Sequence, residues 1–319
     1  MIEILGRKIE KEFVDSGALL RLEKIAAPLP KTHALVEIEC RLDENDSEVD
    51  LILEINPQTD DRGILSGSLD NDKIKEAVAV SKEWRQIQNY ARIWENPYGP
   101  LDQWVDSLYF EFDANQPFET IPVPNVFTML NAPYHRLPID DPELKLPDFV
   151  AVRESAKLFL GNSFSSDLEN QILNCFESLF DGGRVMYTAF MVARGHEEVR
   201  FSVTALKKEV LPYLRRIGWD HSLQEIEETL DRYNSFLPDP VQFDFDIGKG
   251  VLPRFGLYFP LRNEVPRKTF LQRLVEEQKC SQVKADLLAC DTSYRELNCF
   301  KLTCVPSSQT SAKGYLMLL

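Results

Sequence analysis

Histidine is scarce in this chain, with His33, His135, His196 and His221 the only four in 319 residues. None stands at a recognisable motif beside a serine or cysteine, so a hydrolase triad has no support. Six cysteines are scattered without a Cys-x-x-Cys pair, and the late group (Cys280, Cys290, Cys299, Cys304) has no histidine near it. Structural zinc sites draw on close ligand pairs, so reduced thiols are expected and a metal centre is not. Positive charge is in deficit, 36 Lys and Arg against 51 Asp and Glu, for a net charge of -15. That argues against non-specific nucleic-acid binding while leaving room for a local basic pocket that takes a small anion. No apolar run approaches the roughly 20 residues that cross a bilayer. The opening Met1-Ile-Glu-Ile-Leu-Gly-Arg-Lys8 lacks the basic-then-apolar order of a signal peptide. A cytoplasmic protein with no membrane partner is the expectation.

What is present is alternation. Val49–Ile55, Leu108–Asp113 and Phe243–Asp246 each place apolar residues in one phase and charged residues in the other. Successive side chains on a strand point to opposite faces, so each segment has one apolar and one polar face. Five hairpins follow from this pattern: His33–Leu42 with Val49–Ile55, Ser107–Asp113 with Val123–Leu130, Arg184–Val192 with Val199–Ala205, Val241–Ile247 with Pro253–Leu261, and Cys299–Val305 with Lys313–Leu319. Between them the helical period predicts Ile9–Ile25, Asp72–Trp94, Asp167–Phe180, Lys207–Ile217, Ser222–Phe236, Thr269–Gln278 and Ser281–Ala289. The Pro-rich stretch 131–150 has no period and reads as a long surface loop. Ten strands is about the size at which an open sheet curls or splits, and closure removes exposed edges. The expectation is an α+β fold: one domain over 1–319, built as a ten-stranded antiparallel barrel of five hairpins surrounded by helices. The chain ends inside a strand, which would close the sheet.

With the apolar phase facing the helices, the other phase lines the lumen. It contains Glu37, Glu39, Arg41, Ile52 and Glu54, then Tyr109, Glu111 and Asp113, then Arg200, Ser202 and Thr204. Gln242, Asp244 and Asp246 face Arg254, Gly256 and Tyr258; Lys301 and Thr303 face Lys313 and Tyr315. Arg184–Val192 is too uniform to phase. Acids dominate the first two hairpins and cations the last three, so a closed barrel sets an acidic wall against a basic one. Converging Arg and Lys suit a diphosphate, carboxylates suit a general base, and Tyr258 and Tyr315 offer π faces to a carbocation. A solvated sheet face held by cross-strand ion pairs would show the same alternation without any ligand.

The order helix–hairpin–helix, with Lys313-Gly-Tyr315 and Arg254-Phe-Gly-Leu-Tyr258-Phe-Pro260, resembles the ABBA aromatic prenyltransferases. Arg200-Phe-Ser202 and Lys301-Leu-Thr303 keep that family's cation but lack its tyrosine, and no Asp-Asp-x-x-Asp motif is present. The resemblance implies a barrel whose lumen binds an isoprenoid diphosphate through Arg200, Arg254, Lys301 and Lys313. Tyr258 and Tyr315 would shield the allylic cation, and Glu111, Asp244 or Glu54 would take the proton from an aromatic small molecule or a peptide acceptor. No cofactor is required by it; Mg²⁺ accompanying the diphosphate is left open. The length suits bacterial members that prenylate ribosomally made peptides. The alternative is a non-catalytic barrel that binds a small ligand or peptide as an accessory in such maturation.

Overall fold

The computed structural model describes residues 16–27, 29, 35–43, 49–113, 121–130, 145–290, 295–305 and 310–318. The expected helix start at Ile9, the strand start at His33, most of the 131–150 loop and Leu319 lie outside these.

Ten strands form a closed antiparallel barrel: β1 (Val36–Arg41), β2 (Val49–Ile55), β3 (Val105–Phe112), β4 (Asn125–Leu130), β5 (Arg184–Phe190), β6 (Val199–Ala205), β7 (Val241–Ile247), β8 (Val251–Phe259), β9 (Arg295–Cys304) and β10 (Ser311–Leu318). Each strand pairs with its sequence neighbours, and β1 pairs with β10 to close the ring, Glu39 opposite Tyr315 and Arg41 opposite Lys313. The two strands of each hairpin are joined at one end of the barrel, here the turn end. The helical connections run at the other, here the helix end.

The outward phase is apolar because it meets helices. These are α1 (Ser16–Ala26), α2 (Asp61–Ser66), α3 (Asp72–Val80), α4 (Lys82–Trp94), α5 (Pro100–Trp104), α6 (Lys145–Leu160), α7 (Ser166–Glu177), α8 (Val210–Arg216), α9 (Leu223–Arg232), α10 (Glu264–Glu276) and α11 (Gln282–Leu288). Aromatic pairs stitch the two layers. Trp84 of α4 meets Phe110 with ring centroids 6.1 Å apart, Phe159 of α6 meets Phe190 at 4.9 Å, and Phe176 of α7 meets Phe201 at 6.0 Å. Tyr213 of α8 meets Phe243 at 6.0 Å, and Phe270 of α10 meets Phe300 at 5.3 Å. The hydrophobic core is therefore the shell between barrel and helices, and the lumen is left to polar chemistry.

Two departures have local causes. The helix expected over Asp72–Trp94 is broken at Ser81, whose extended backbone ends α3 while its hydroxyl accepts from the Trp84 amide as the N-cap of α4. Part of the expected 131–150 loop is helical, since α6 begins at Lys145 with Pro147 near its start, where a missing N–H costs nothing.

Candidate active site in the barrel lumen

Strand register decides which side chains share the lumen. Arg200 stands opposite Asp246, Ser202 opposite Asp244, and Asp244 opposite Gly256. Tyr258 stands opposite Lys301, and Lys301 opposite Lys313. On the other wall Glu37 faces Ile52, Ile52 faces Glu111, and Glu54 faces Tyr109.

Asp244 is the hub of the basic side. It has no exposed surface. Its carboxylate accepts from Arg254 at 2.9 Å, from the Tyr258 hydroxyl at 2.7 Å, and from the Lys301 ammonium. Burial alone would raise its pKa, but the charges of Arg254, Lys301 and Arg200 outweigh that and hold it well below the usual carboxylate range. Burial, with Arg254 and Arg200 nearby, pulls Lys301 down to about 8 despite Asp244. Arg200 clasps Asp246 through two nitrogens at 2.7 and 3.2 Å. The strand allows Asp244 this position only because residue 256 is glycine: a Cβ there would lie 2.1 Å from Asp244 Oδ1 and 2.7 Å from Lys301 Cε.

Lys313 and Lys301, like charges directly opposite each other, are kept apart electrostatically by different carboxylates. Lys301 takes Asp244 and Lys313 takes Glu39. Glu39 also accepts from the Tyr315 hydroxyl, and Lys313 carries it below its ordinary value against the effect of burial. The acidic and basic walls are thus not separated as expected. Each of Arg200, Arg254, Lys301 and Lys313 already has a carboxylate partner from another strand.

Glu111 is likewise engaged. Arg194, from the short turn after β5, reaches Glu111 at 2.6 Å and Asp113 at 2.5 and 2.9 Å. Burial and the charge of Glu39 raise Glu111 in spite of Arg194. Asp50, Glu111 and Asp113 bring carboxylate oxygens within 4.8 Å of one another, and the buried Asn125 beside them has its Oδ1 without a partner. These are hard oxygen donors of the kind Mg²⁺ takes, although a cation there would compete with Arg194 for Glu111 and Asp113.

Tyr187 is one of the lumen residues that sequence periodicity missed. A bulge between Val185 and Tyr187 shifts the register, so Val185 pairs with Val203 while Tyr187 pairs with Ser202 and turns into the lumen. That bulge is why Arg184–Val192 could not be phased. The Tyr187 hydroxyl lies 2.5 Å from that of Tyr258, Phe127 lies 5.7 Å from the Tyr187 ring, and Tyr258 lies 6.4 Å from Tyr315. A belt of four rings therefore crosses the lumen beside the cations, with Tyr258 opposite Lys301. It supplies next to Arg200 the tyrosine that Arg200-Phe-Ser202 lacks.

Glu37 and Glu54 occupy the helix end, diagonal to each other on β1 and β2. Asn298 donates to Glu37 Oε1 at 2.6 Å; it reaches it because a bulge at Tyr315/Leu316 shifts the β9–β10 register. Burial, with Glu39 and Glu54 adding to it against that hydrogen bond, pushes Glu37 from 4.5 up to about 7. Glu54 is raised too, by burial and then Asp106, while Ser107 and Tyr109 bond to it. Folded Glu37 thus holds its proton to higher pH than the unfolded chain does. Its contribution to stability is complete below about pH 4.5 and is lost as pH rises through about 7, an effect of roughly 3 kcal/mol. Glu37→Gln should match the parent near pH 5 and exceed it near pH 8 in urea unfolding; an equal difference at both pH values would contradict this.

No protein-family model matches the sequence, and no curated protein does. Solved structures do match. Prenyltransferase PriB in its apo form is 14% identical with a TM-score of 0.60, the match covering 99% of this chain and 94% of that one. The 5-dimethylallyltryptophan synthase of Streptomyces coelicolor is 12% identical with a TM-score of 0.60, covering 99% and 94%. PriB in ternary complex with L-tryptophan and dimethylallyl thiolodiphosphate is 11% identical with a TM-score of 0.54, again covering 99% and 94%. At these identities the likeness establishes the fold: the chain has the ABBA prenyltransferase barrel.

Proposed function

We propose that this barrel moves an isoprenoid group from an allylic diphosphate to an aromatic or peptide acceptor within its lumen. The observation that carries the reading is that Arg200, Arg254, Lys301 and Lys313 share a stretch of lumen wall with Tyr187, Tyr258 and Tyr315, Tyr258 standing opposite Lys301. PriB and the tryptophan synthase, which share this fold, have been captured with such donors and with tryptophan.

In the proposed step the C1–O bond of the donor breaks and its electron pair leaves with the diphosphate. The four cations receive that charge by exchanging carboxylate partners for phosphate oxygens. The allylic cation sits against the tyrosine faces, and an electron pair of the acceptor forms the new bond to carbon. The displaced proton passes to a carboxylate. Asp244 and Glu111, both candidates from sequence, are bound by Arg254, Lys301 and Arg194, and Asp244 is too weak a base in that setting. Glu54, raised by burial, remains a candidate, and Glu37 joins it, since its carboxyl, raised to about 7, can both accept and release a proton. If Mg²⁺ accompanies the diphosphate, Asp50, Glu111 and Asp113 are the residues that would hold it, and it would neutralise phosphate charge.

A specific observation favours the second reading, a barrel that holds a ligand without reacting it. Every one of the four cations is neutralised before any ligand arrives. The test is the melting temperature with dimethylallyl or geranyl diphosphate, each with Mg²⁺. At a hundredfold excess over Kd a ligand adds about 2.7 kcal/mol. A rise followed by diphosphate release on adding an acceptor supports transfer. A rise without release under any acceptor supports holding, and no rise removes both donor-based readings.

A further inference from the structure

Apart from Asp50, which lies beside Glu111 and Asp113 at the turn end, the lumen carboxylates on the strands described above differ between the two ends of the barrel. Glu39, Glu111, Asp113, Asp244 and Asp246 all meet Lys or Arg toward the turn end or middle of the barrel. Glu37 and Glu54, at the helix end, have no ion-pair partner among the described residues. Glu37 is only 6% exposed, and the side chain that donates to it, Asn298, is a neutral amide. A buried carboxylate left with amide and hydroxyl partners is costly to keep.

The surroundings of this pair are aromatic and soft. Tyr109 stands opposite Glu54, and Phe127 stands opposite Tyr109, so the three form one row across β2, β3 and β4. Met129 faces Tyr187 on the next strand pair, and Met317 faces Glu37 across the closure of the barrel. Ring faces beside two carboxylates are the complement of an organic cation, which gains from both the charge and the π systems. A carboxylate-bearing ligand would meet repulsion at the same place.

We infer that the acceptor carries a positively charged nitrogen, seated between Glu37 and Glu54 against Tyr109 and Phe127, with the donor diphosphate at the opposite, cationic end. This deepens the proposed function and rests on the lumen being the acceptor site. Charge then sorts the two substrates: the anionic donor is drawn to the Arg and Lys cluster, and the cationic acceptor to the glutamates. The nitrogen acts as an anchor, and because a carboxylate paired with it is a weaker base, the acceptor's proton passes to whichever of Glu37 and Glu54 the nitrogen engages less closely. A basic side chain or amino terminus of a peptide, or the amine of an aromatic base, meets the requirement equally.

A matched series isolates the charge: tryptamine, 3-ethylindole and indole-3-propionate share a ring and differ in the sign of the side chain. Binding is measured by calorimetry at pH 8, without donor, on the parent, Glu37→Gln and Glu54→Gln. Tryptamine is expected to bind at least about tenfold tighter than indole-3-propionate, a gap of about 1.4 kcal/mol. Either Gln variant should narrow that gap while retaining a cooperative melting transition. Equal affinities across the series, a preference for the anion, an unchanged gap in both variants, or no binding at millimolar concentration would each overturn the inference. Failure of donor binding with the series order intact would remove the transfer reading and leave this acceptor preference standing.

Discussion

Asp244→Ala is expected to destabilise the barrel by about 3–5 kcal/mol, lowering the melting temperature by on the order of 10 °C. The loss comes from what the substitution leaves behind. Arg254 and Lys301 converge on this carboxylate, and Lys301 is only 4% exposed. Without Asp244 both ammonium and guanidinium remain in a low-dielectric lumen, and Tyr258 loses the acceptor for its hydroxyl. Thermal unfolding followed by circular dichroism measures the effect directly. A fall of 1 kcal/mol or less would mean that water reaches these groups and that the hub is a surface feature. Adding a diphosphate should restore stability to this variant more than to the parent, because the ligand replaces the lost anion.

Gly256→Ala is expected to cost about 3 kcal/mol or more, since the added methyl must push aside a carboxylate held by three partners. The Cβ would lie 2.1 Å from Asp244 Oδ1, well inside van der Waals contact. Asp244 cannot swing away without breaking its bonds to Arg254, Lys301 and Tyr258. The double variant Asp244→Ala/Gly256→Ala should therefore be much less destabilised than the sum of the single changes, because the tightest clash goes with the carboxylate and only the flexible Lys301 side chain, 2.7 Å away, must still give. Additive losses in urea unfolding would show that the two positions do not communicate.

The barrel was legible from sequence because each strand buries only one face. Apolar residues such as Phe243, Phe245, Phe255 and Leu257 must meet helices, and that fixes the phase of Asp244, Asp246, Arg254 and Tyr258 by alternation. Where a bulge interrupts alternation, phase fails. Tyr187 was invisible for that reason, whereas Asn298 lay ahead of the expected strand start at Cys299; each matters, since one completes the ring belt and the other orients Glu37. The helix break at Ser81 was hidden differently, because Ile74, Trp84, Ile87 and Trp94 keep an apolar stripe across two helices. Pairing across strands was also beyond reach. Nothing in the order of residues says that Arg194 would leave its turn to bind Glu111 and Asp113, or that Lys313 would find Glu39. Periodicity yields faces, and only register yields partners.

The most direct test of the lumen as a diphosphate site is calorimetric titration of dimethylallyl diphosphate into the parent and into Glu39→Gln/Lys313→Gln. Neutralising both members of that pair removes one cation without stranding a buried charge, so the fold is kept. Saturable binding to the parent, weakened about tenfold or more in the double variant, is the expected result. Absence of binding to the parent, or equal affinity in the two proteins, would contradict a diphosphate site built on the lumen cations.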